Sequence, residues 1–428
     1  MQNCFYREQL ADGIYFSHVA DSKFYSNRLS VNLVVPLAAG SVTDNAIVPS
    51  VLRLGCRTCP DFTALNRRLG LLYGAALGGD VSRFGAHQIL SVSAKGLDRR
   101  VALQGEDMVR ELCGLVCDIA LDPLLVDGVF GKEQVDLERH NLIDTILSEI
   151  NDKRIYAQTQ CLSLMFGESP RALHPYGTVE EAQRITPASA YAAYRRMLEN
   201  AQIELMFVGG GDYRAALETF RARFAGCRRG AVQAAVPSVA ALSGPVKERT
   251  ETMEVNQSKL VMGFRCRQSG ERGVYALRLM SAMYGGTPFS KLFLNVREKL
   301  SLCYYCSSRY DRGNGVMIVG SGVEKEKKQA AKEEILRQLQ AMRDGDFTDE
   351  ELHNTVLAMN TGFAATGDSL HALESWYLTQ ILFGQEHSPD EERAVMQTIT
   401  REEVIEAARG VELDSVYFLT SQGEEASI

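Results

Sequence analysis

The sequence predicts an α+β fold built from two similar halves. Three observations carry this. Strand signals come as hairpins and meanders rather than regular strand-helix-strand crossovers, helical stretches lie between them, and a strand-turn-strand pattern from the first half recurs in the second. The chain has 428 residues, 45% of them hydrophobic. That is enough for a sizeable core and for two to three domains at about 150 residues each.

Ser30 to Leu37 (SVNLVVPL) is a β-branched run, and Gln88 to Ala94 (QILSVSA) alternates with period two, so both read as strands. Ile185-Thr186 opens a helix that leads into the strand IELMFVG. Tyr304 to Tyr310 alternates, Asp311 to Gly315 (DRGNG) supplies the glycines for a chain reversal, and VMIVGSG returns as the partner strand. Lys325 to Met342 places Ala331, Ile335, Leu339 and Met342 on one helical face and stops at Asp344-Gly345. A further helix begins at Thr348, with Thr348 and Glu351 at capping-box spacing. Ile399-Thr400 opens a last helix before the strand SVYFLTS.

The repeat pairs LLYGAALGGDVSRFGAHQILSVSAKGLDRR with LCYYCSSRYDRGNGVMIVGSGVEKEKK, and Ile185-Thr186 with Ile399-Thr400. It implies modules of about 210 residues, at 1–225 and 246–428. Between them Gly226 to Pro245, rich in Gly, Pro, Ala and Ser, reads as an extended linker.

A formal charge of -8 gives no basic footprint for nucleic acid or an anionic membrane. No apolar stretch reaches the roughly 18 residues of a membrane span, and the start MQNCFYREQLADG has no signal-peptide pattern. Ten cysteines are too sparse for a secreted disulfide scaffold. A cytoplasmic protein is the expectation.

Most candidate motifs read as structure. The pairs Cys56/Cys59 and Cys303/Cys306 lie in different modules, and Cys303 and Cys306 are expected to point to opposite faces of a strand. Core thiols therefore fit better than a zinc ribbon. The glycines of IELMFVGGGDYRAALETF lack the third glycine of a dinucleotide site, since Arg214 takes its place. The histidines at 18, 87, 140, 174, 353, 371 and 387 form no H-x-x-x-H pair, and His174 reads as a loop residue. There is no Gly-Lys-Ser/Thr phosphate loop and no G-x-S-x-G elbow. What remains is a helix from Ser290 to Lys299 that buries Leu292, Phe293, Val296 and Leu300 and leaves Arg297 on the flank, with Tyr304 just beyond. An Arg and a Tyr at such a junction can donate to peptide carbonyls or to a carboxylate.

The order Gly285, Gly286, Ser290, Leu292, Phe293, Val296, Arg297, Glu298, Leu302, Tyr304 resembles the C-terminal half of the insulinase/pitrilysin-type metallopeptidases. HPYGTVEEAQRIT at 174–186 and FTDEELHNTVLAMN at 347–360 are similar to further segments of that family, so the resemblance covers nearly the whole chain. It implies two homologous modules, each an antiparallel sheet with helices packed on one face, forming a clamshell. Active members bind zinc through H-x-x-E-H near the start, with a Glu further along. Here the motif falls on AIVPSVLRLGC, which puts Ala46 and Ser50 at the histidines and Pro49 at the base. The resemblance thus implies a chain without zinc. It also implies that Arg297 and Tyr304 face a bound peptide, as the family's C-terminal Arg and Tyr do.

LLYGAAL and NDKRIYA look most like a bacterial non-catalytic branch often paired with a zinc-bearing homologue. The expected function is the non-catalytic subunit of a heterodimeric zinc peptidase, with zinc only in the partner subunit. A scaffold that keeps only the fold, and an autonomous enzyme or peptide-binding protein, are the alternatives.

Overall fold

The computed structural model describes residues 4–236, 244–267 and 270–422 of the chain. They fall into two compact units. One draws on Met1–Leu147, Leu173–Pro237 and Thr366–Ser388, the other on Ser148–Ala172, Ser238–Ala365 and Pro389–Ile428.

The first unit holds β1 (Cys4–Ala11), β2 (Ile14–Ala20), β3 (Ser26–Pro36), β4 (Ala76–Phe84) and β5 (His87–Leu97), a two-residue pair β6 (Leu125–Val126) and β7 (Val129–Phe130), and β8 (Gln202–Gly209). Six strands form one sheet in the order β1-β2-β8-β3-β5-β4. It is antiparallel except between β2 and β8. β8 is buried along its whole length because both of its faces are covered. Ile203, Leu205 and Phe207 join the core of the helices Met108–Leu121, Pro187–Asn200 and Tyr213–Phe224. Met206 and Val208 point the other way, onto the helix Leu370–Leu382.

The second unit holds β9 (Lys247–Thr252), β10 (Ser258–Cys266), β11 (Cys303–Asp311), β12 (Val316–Val323) and β13 (Val411–Thr420), in the order β11-β12-β10-β13-β9. β13 and β9 are parallel and the other pairs antiparallel. This repeats β4-β5-β3-β8-β2 strand for strand, so the repeat seen in the sequence is a repeat of topology. Val261 on β10 meets Ala157, Cys161 and Met165 of the helix Lys153–Phe166. The helices Gly270–Ser281, Lys328–Asp344 and Arg401–Arg409 carry the other buried apolar stripes of this unit. Each sheet therefore has its main helical layer on one face and a single helix on the other.

Local signals explain the ends of these elements. Ala331, Ile335, Leu339 and Met342 are all buried, and the helix Lys328–Asp344 stops at Gly345, whose φ of +74° suits glycine. Thr348 and Glu351 exchange backbone-to-side-chain hydrogen bonds of 2.7 and 3.0 Å as a capping box. Thr186 with Ser189 and Thr400 with Glu403 do the same before β8 and β13.

Three expectations are corrected. First, the modules are not contiguous: residues 148–172 belong to the second unit and 366–388 to the first, because the two lone helices fill the otherwise bare sheet faces. Second, the expected linker Gly226–Pro245 is anchored in its first part. Gly230 donates to the Glu199 carbonyl (2.9 Å) and Gln233 to that of Asn200 (2.8 Å). Residues 237–243 lie outside the described residues. Third, Cys303 and Cys306 do not point to opposite faces. β11 pairs Cys303 with Val323 and Tyr305 with Gly322, so Tyr304 is an extra, bulged residue. The bulge resets the alternation: Cys303, Cys306 and Ser308 are buried and Tyr304 is turned out, 62% exposed.

Candidate functional site

The positions that the resemblance aligns with the zinc motif lie on two short helices of the first unit, Val42–Ala46 and Val48–Leu52. Pro49 has no N–H, so the chain cannot make the hydrogen bond to the Asn45 carbonyl that would join them. Ile47 keeps helical dihedrals nonetheless. Ala46 and Ser50 thus stay one turn apart and line the same cavity, of about 240 Å³, with Arg53, Asp80, Glu138 and Tyr176. The HPYG segment supports this turn. Gln88 Nε2 donates to the carbonyls of Val42 (2.9 Å) and Pro175 (2.7 Å), and Gly177, at φ +75°, abuts Thr43 so closely that a Cβ there would overlap its hydroxyl.

Glu138 is the residue that sequence reasoning missed. It is 3% exposed, lines the cavity, and accepts a hydrogen bond from Asn141 Nδ2 (3.2 Å). Its signal was a carboxylate on an apolar stripe, since Val135, Glu138 and Leu142 are the buried positions of the helix Lys132–Asn151. This donor set does not fit zinc. A methyl group, a proline ring, a neutral hydroxyl and the two carboxylates of Asp80 and Glu138 cannot supply three protein ligands and a base. Among the described residues no group of three or more His, Cys, Asp or Glu is placed to hold a metal ion.

Arg297 and Tyr304 lie in the second unit. Arg297 is on a π-helical segment, Leu292–Lys299, whose wide turns are closed by the Leu300 N–H on the Asn295 carbonyl (3.2 Å). Leu292 and Val296 are fully buried as expected, whereas Leu300 is 43% exposed because the segment ends there. Phe293 is half-buried beneath Arg297, whose guanidinium carbon sits 4.6 Å from the ring centroid. The Arg297 side chain stays 41% exposed, with the Glu298 carboxylate at 3.4 Å. Tyr304 follows at the bulge of β11, the edge strand of its sheet. Both side chains offer hydrogen-bond donors to solvent.

Between them lies Cys303. The neighbouring Cys306 thiol, and beyond it the polar Ser321 and the Arg297 charge, bring its thiol down to about 7 against the opposing effect of burial.

The other motifs are structural. The Gly209–Gly211 run allows close backbone approach, since a Cβ at Gly210 would fall 2.2 Å from the Phe24 carbonyl oxygen. Cys56 and Cys59 are buried in the core of the first unit. His174 Nδ1 accepts from the Tyr176 N–H (3.3 Å) within its loop. No described helix is long and apolar enough to cross a membrane.

Comparison with known proteins gives these features a family. Residues 184–359 match the model of the peptidase M16 inactive domain. The "Probable inactive metalloprotease YmfF" of Bacillus subtilis (strain 168) is 27% identical over 94% of both chains. A crystal structure of a conserved protein from Enterococcus faecalis V583 superposes with a TM-score of 0.90 at 27% identity, covering 99% of this chain and 100% of that one. A peptidase M16 inactive domain from Pseudomonas fluorescens shares the fold, with a TM-score of 0.76 at 16% identity over 98% of both chains. The chain is thus a homologue of the inactive insulinase/pitrilysin-type (M16) metallopeptidases, and Ala46, Pro49 and Ser50 are the positions that the resemblance aligns with H-x-x-E-H.

Proposed function

We propose that the chain is the non-catalytic subunit of a two-chain zinc peptidase and supplies peptide-binding surface to a zinc-bearing homologous partner. The observation that carries this reading is the contrast between the two units. The metal positions of the first have lost their donors, while Arg297 and Tyr304 of the second keep theirs exposed, the tyrosine by a bulge that turns it out of the sheet. A scaffold has no need of that bulge. The peptide would take hydrogen bonds from the guanidinium and the phenol, and zinc would be bound only by the partner. A cytoplasmic location agrees with the nine described cysteines, all of them free.

The test is coexpression with an H-x-x-E-H homologue encoded beside this chain, followed by copurification and a peptidase assay. A two-chain complex that cleaves peptides, where neither chain alone does so at a comparable rate, is the expected result. A partner with full activity by itself would overturn the reading.

A further inference from the structure

We propose that the cavity at the Ala46–Ser50 turn binds the ammonium group of a peptide, with Glu138 and Asp80 as its two anionic acceptors. The inference rests on the peptide-binding reading above for the kind of ligand, and not on the zinc-bearing partner. Its starting point is Glu138, which lines the cavity and is 3% exposed. Asn141 Nδ2 donates to Oε2 of this carboxylate, and Oε1 has no hydrogen-bond partner among the described residues. A carboxylate withdrawn this far from water is costly until a donor reaches it.

Other elements bring the rest of the lining to the same place. β4 is the edge strand of its sheet, and Gly79 lets it come down onto the turn, since a Cβ there would lie 2.7 Å from the Pro49 carbonyl oxygen. That close approach sets the next residue, Asp80, on the cavity with Ser50 of the helix Val48–Leu52 and Arg53 at the end of that helix. Neither the Asp80 carboxylate nor the Arg53 guanidinium has a hydrogen-bond or ion-pair partner among the described residues. Three charged groups therefore meet at one cavity without being satisfied by one another.

Charge and size select the ligand. Two carboxylates against one guanidinium leave the lining with one negative charge, which a single ammonium cancels. Unlike zinc, an ammonium needs no fixed ligand set. Its three N–H donors can be met by Glu138, Asp80 and the Ser50 hydroxyl oxygen. A volume of about 240 Å³ is below that of a drug-sized site and suits the end of a chain. At a peptide's amino terminus the first carbonyl follows directly on the amine-bearing carbon, where Arg53 can donate to it. A lysine side chain brings the same ammonium without that carbonyl.

The experiment titrates the full chain by calorimetry with trialanine amide bearing a free amino terminus, with its N-acetylated twin, and with an N-acetylated peptide that contains one lysine. The free amine should bind, and acetylation should weaken binding about 10- to 100-fold. Binding of the acetylated lysine peptide supports the site and names the side chain as a source; its failure to bind leaves the amino terminus as the source. Glu138→Gln should weaken the amine about 10-fold or more, and Asp80→Asn less. Asp80 is exposed, so its variant serves alone if Glu138→Gln does not fold. Equal binding of trialanine amide and its acetylated twin would overturn the proposal, as would wild-type affinity in both variants. So would zinc or calcium chloride binding by itself in a Glu138-dependent way. An active two-chain peptidase with no amine binding here would overturn this inference alone, and amine binding without an active pair would overturn only the two-chain reading.

Discussion

Arg297 stacks on Phe293, its Nε 3.4 Å from the Glu298 carboxylate, and its half-exposed guanidinium can still reach an acceptor. Such charge-assisted hydrogen bonds are worth about 1.5 to 3 kcal/mol each. In an active two-chain complex, Arg297→Ala should therefore lower kcat/KM about 10- to 100-fold with assembly intact, as read by steady-state kinetics and gel filtration. Arg297→Lys should recover little, because an ammonium has no planar fork. Tyr304→Phe should cost less. If the guanidinium only solvates the helix flank, both variants leave kinetics unchanged and stability shifts by less than about 0.5 kcal/mol. A second side chain sets a pH dependence. His18 stacks on Tyr213 with centroids 3.7 Å apart, its buried Nδ1 has no hydrogen-bond partner, and burial with the nearby Arg214 charge lowers it to about 4. The folded state holds this imidazole neutral, so its contribution is complete above about pH 6.5 and is lost as pH falls from there through 4. Urea unfolding at pH 7 and pH 5 should show wild type losing more stability between the two than His18→Phe.

Where short segments carry their own instructions, the sequence was readable. The boxes at Thr186, Thr348 and Thr400 need only residues three apart, and Gly315, at φ +68°, does close the β11–β12 reversal expected of DRGNG. The bulge was not readable, because it exists only in the register between Tyr304 and the facing pair Gly322 and Val323. Alternation alone therefore put Cys303 and Cys306 on opposite faces. The turn from Ala46 to Ser50 falls between these cases. The lack of donors at Ala46, Pro49 and Ser50 could be read from the sequence, but only the fold reveals that the one-turn spacing of Ala46 and Ser50 persists across Pro49 with Glu138 on the same cavity. That persistence is testable. The combined change Ala46→His, Pro49→Glu and Ser50→His restores two imidazoles one turn apart facing a carboxylate, and removes the proline that interrupts the helix. The triple variant should hold one zinc per chain by elemental analysis, and adding Glu138→Gln should weaken it more than about 10-fold. A triple variant that folds but takes up no zinc would mean that the turn has moved as well as mutated.

The exchange of segments between the units has the widest consequence for the molecule. The helix Leu370–Leu382 lies far along the chain, yet Leu370, Leu373, Tyr377, Leu378 and Leu382 cover Val19, Val34, Ile89, Met206 and Val208 on the first sheet, and Tyr377 stacks on Phe5 at 4.4 Å. Arg28 pairs there with Glu374, a carboxylate that is 4% exposed. The helix Lys153–Phe166 does the same for the second sheet, where Lys247 Nζ donates to the carbonyls of Leu164 (3.1 Å) and Met165 (2.8 Å). The repeat predicted two self-sufficient modules because local periodicity does not say which sheet a helix will cover. With the exchange, a fragment cut in the linker leaves one face of each sheet bare. At about 1.5 to 3 kcal/mol for each large apolar side chain taken out of water, the loss is comparable with the whole stability of a domain. Residues 1–236 and 244–428 expressed apart should therefore be insoluble or aggregated, and expressed together they should copurify as a folded pair, read by gel filtration and circular dichroism. Leu373→Ala tests the same contact in the intact chain. Leu373 is fully buried, so its truncation should cost about 2 to 5 kcal/mol. Either fragment alone giving a monomeric, cooperatively unfolding species would show that the exchanged helices decorate the sheets rather than complete them.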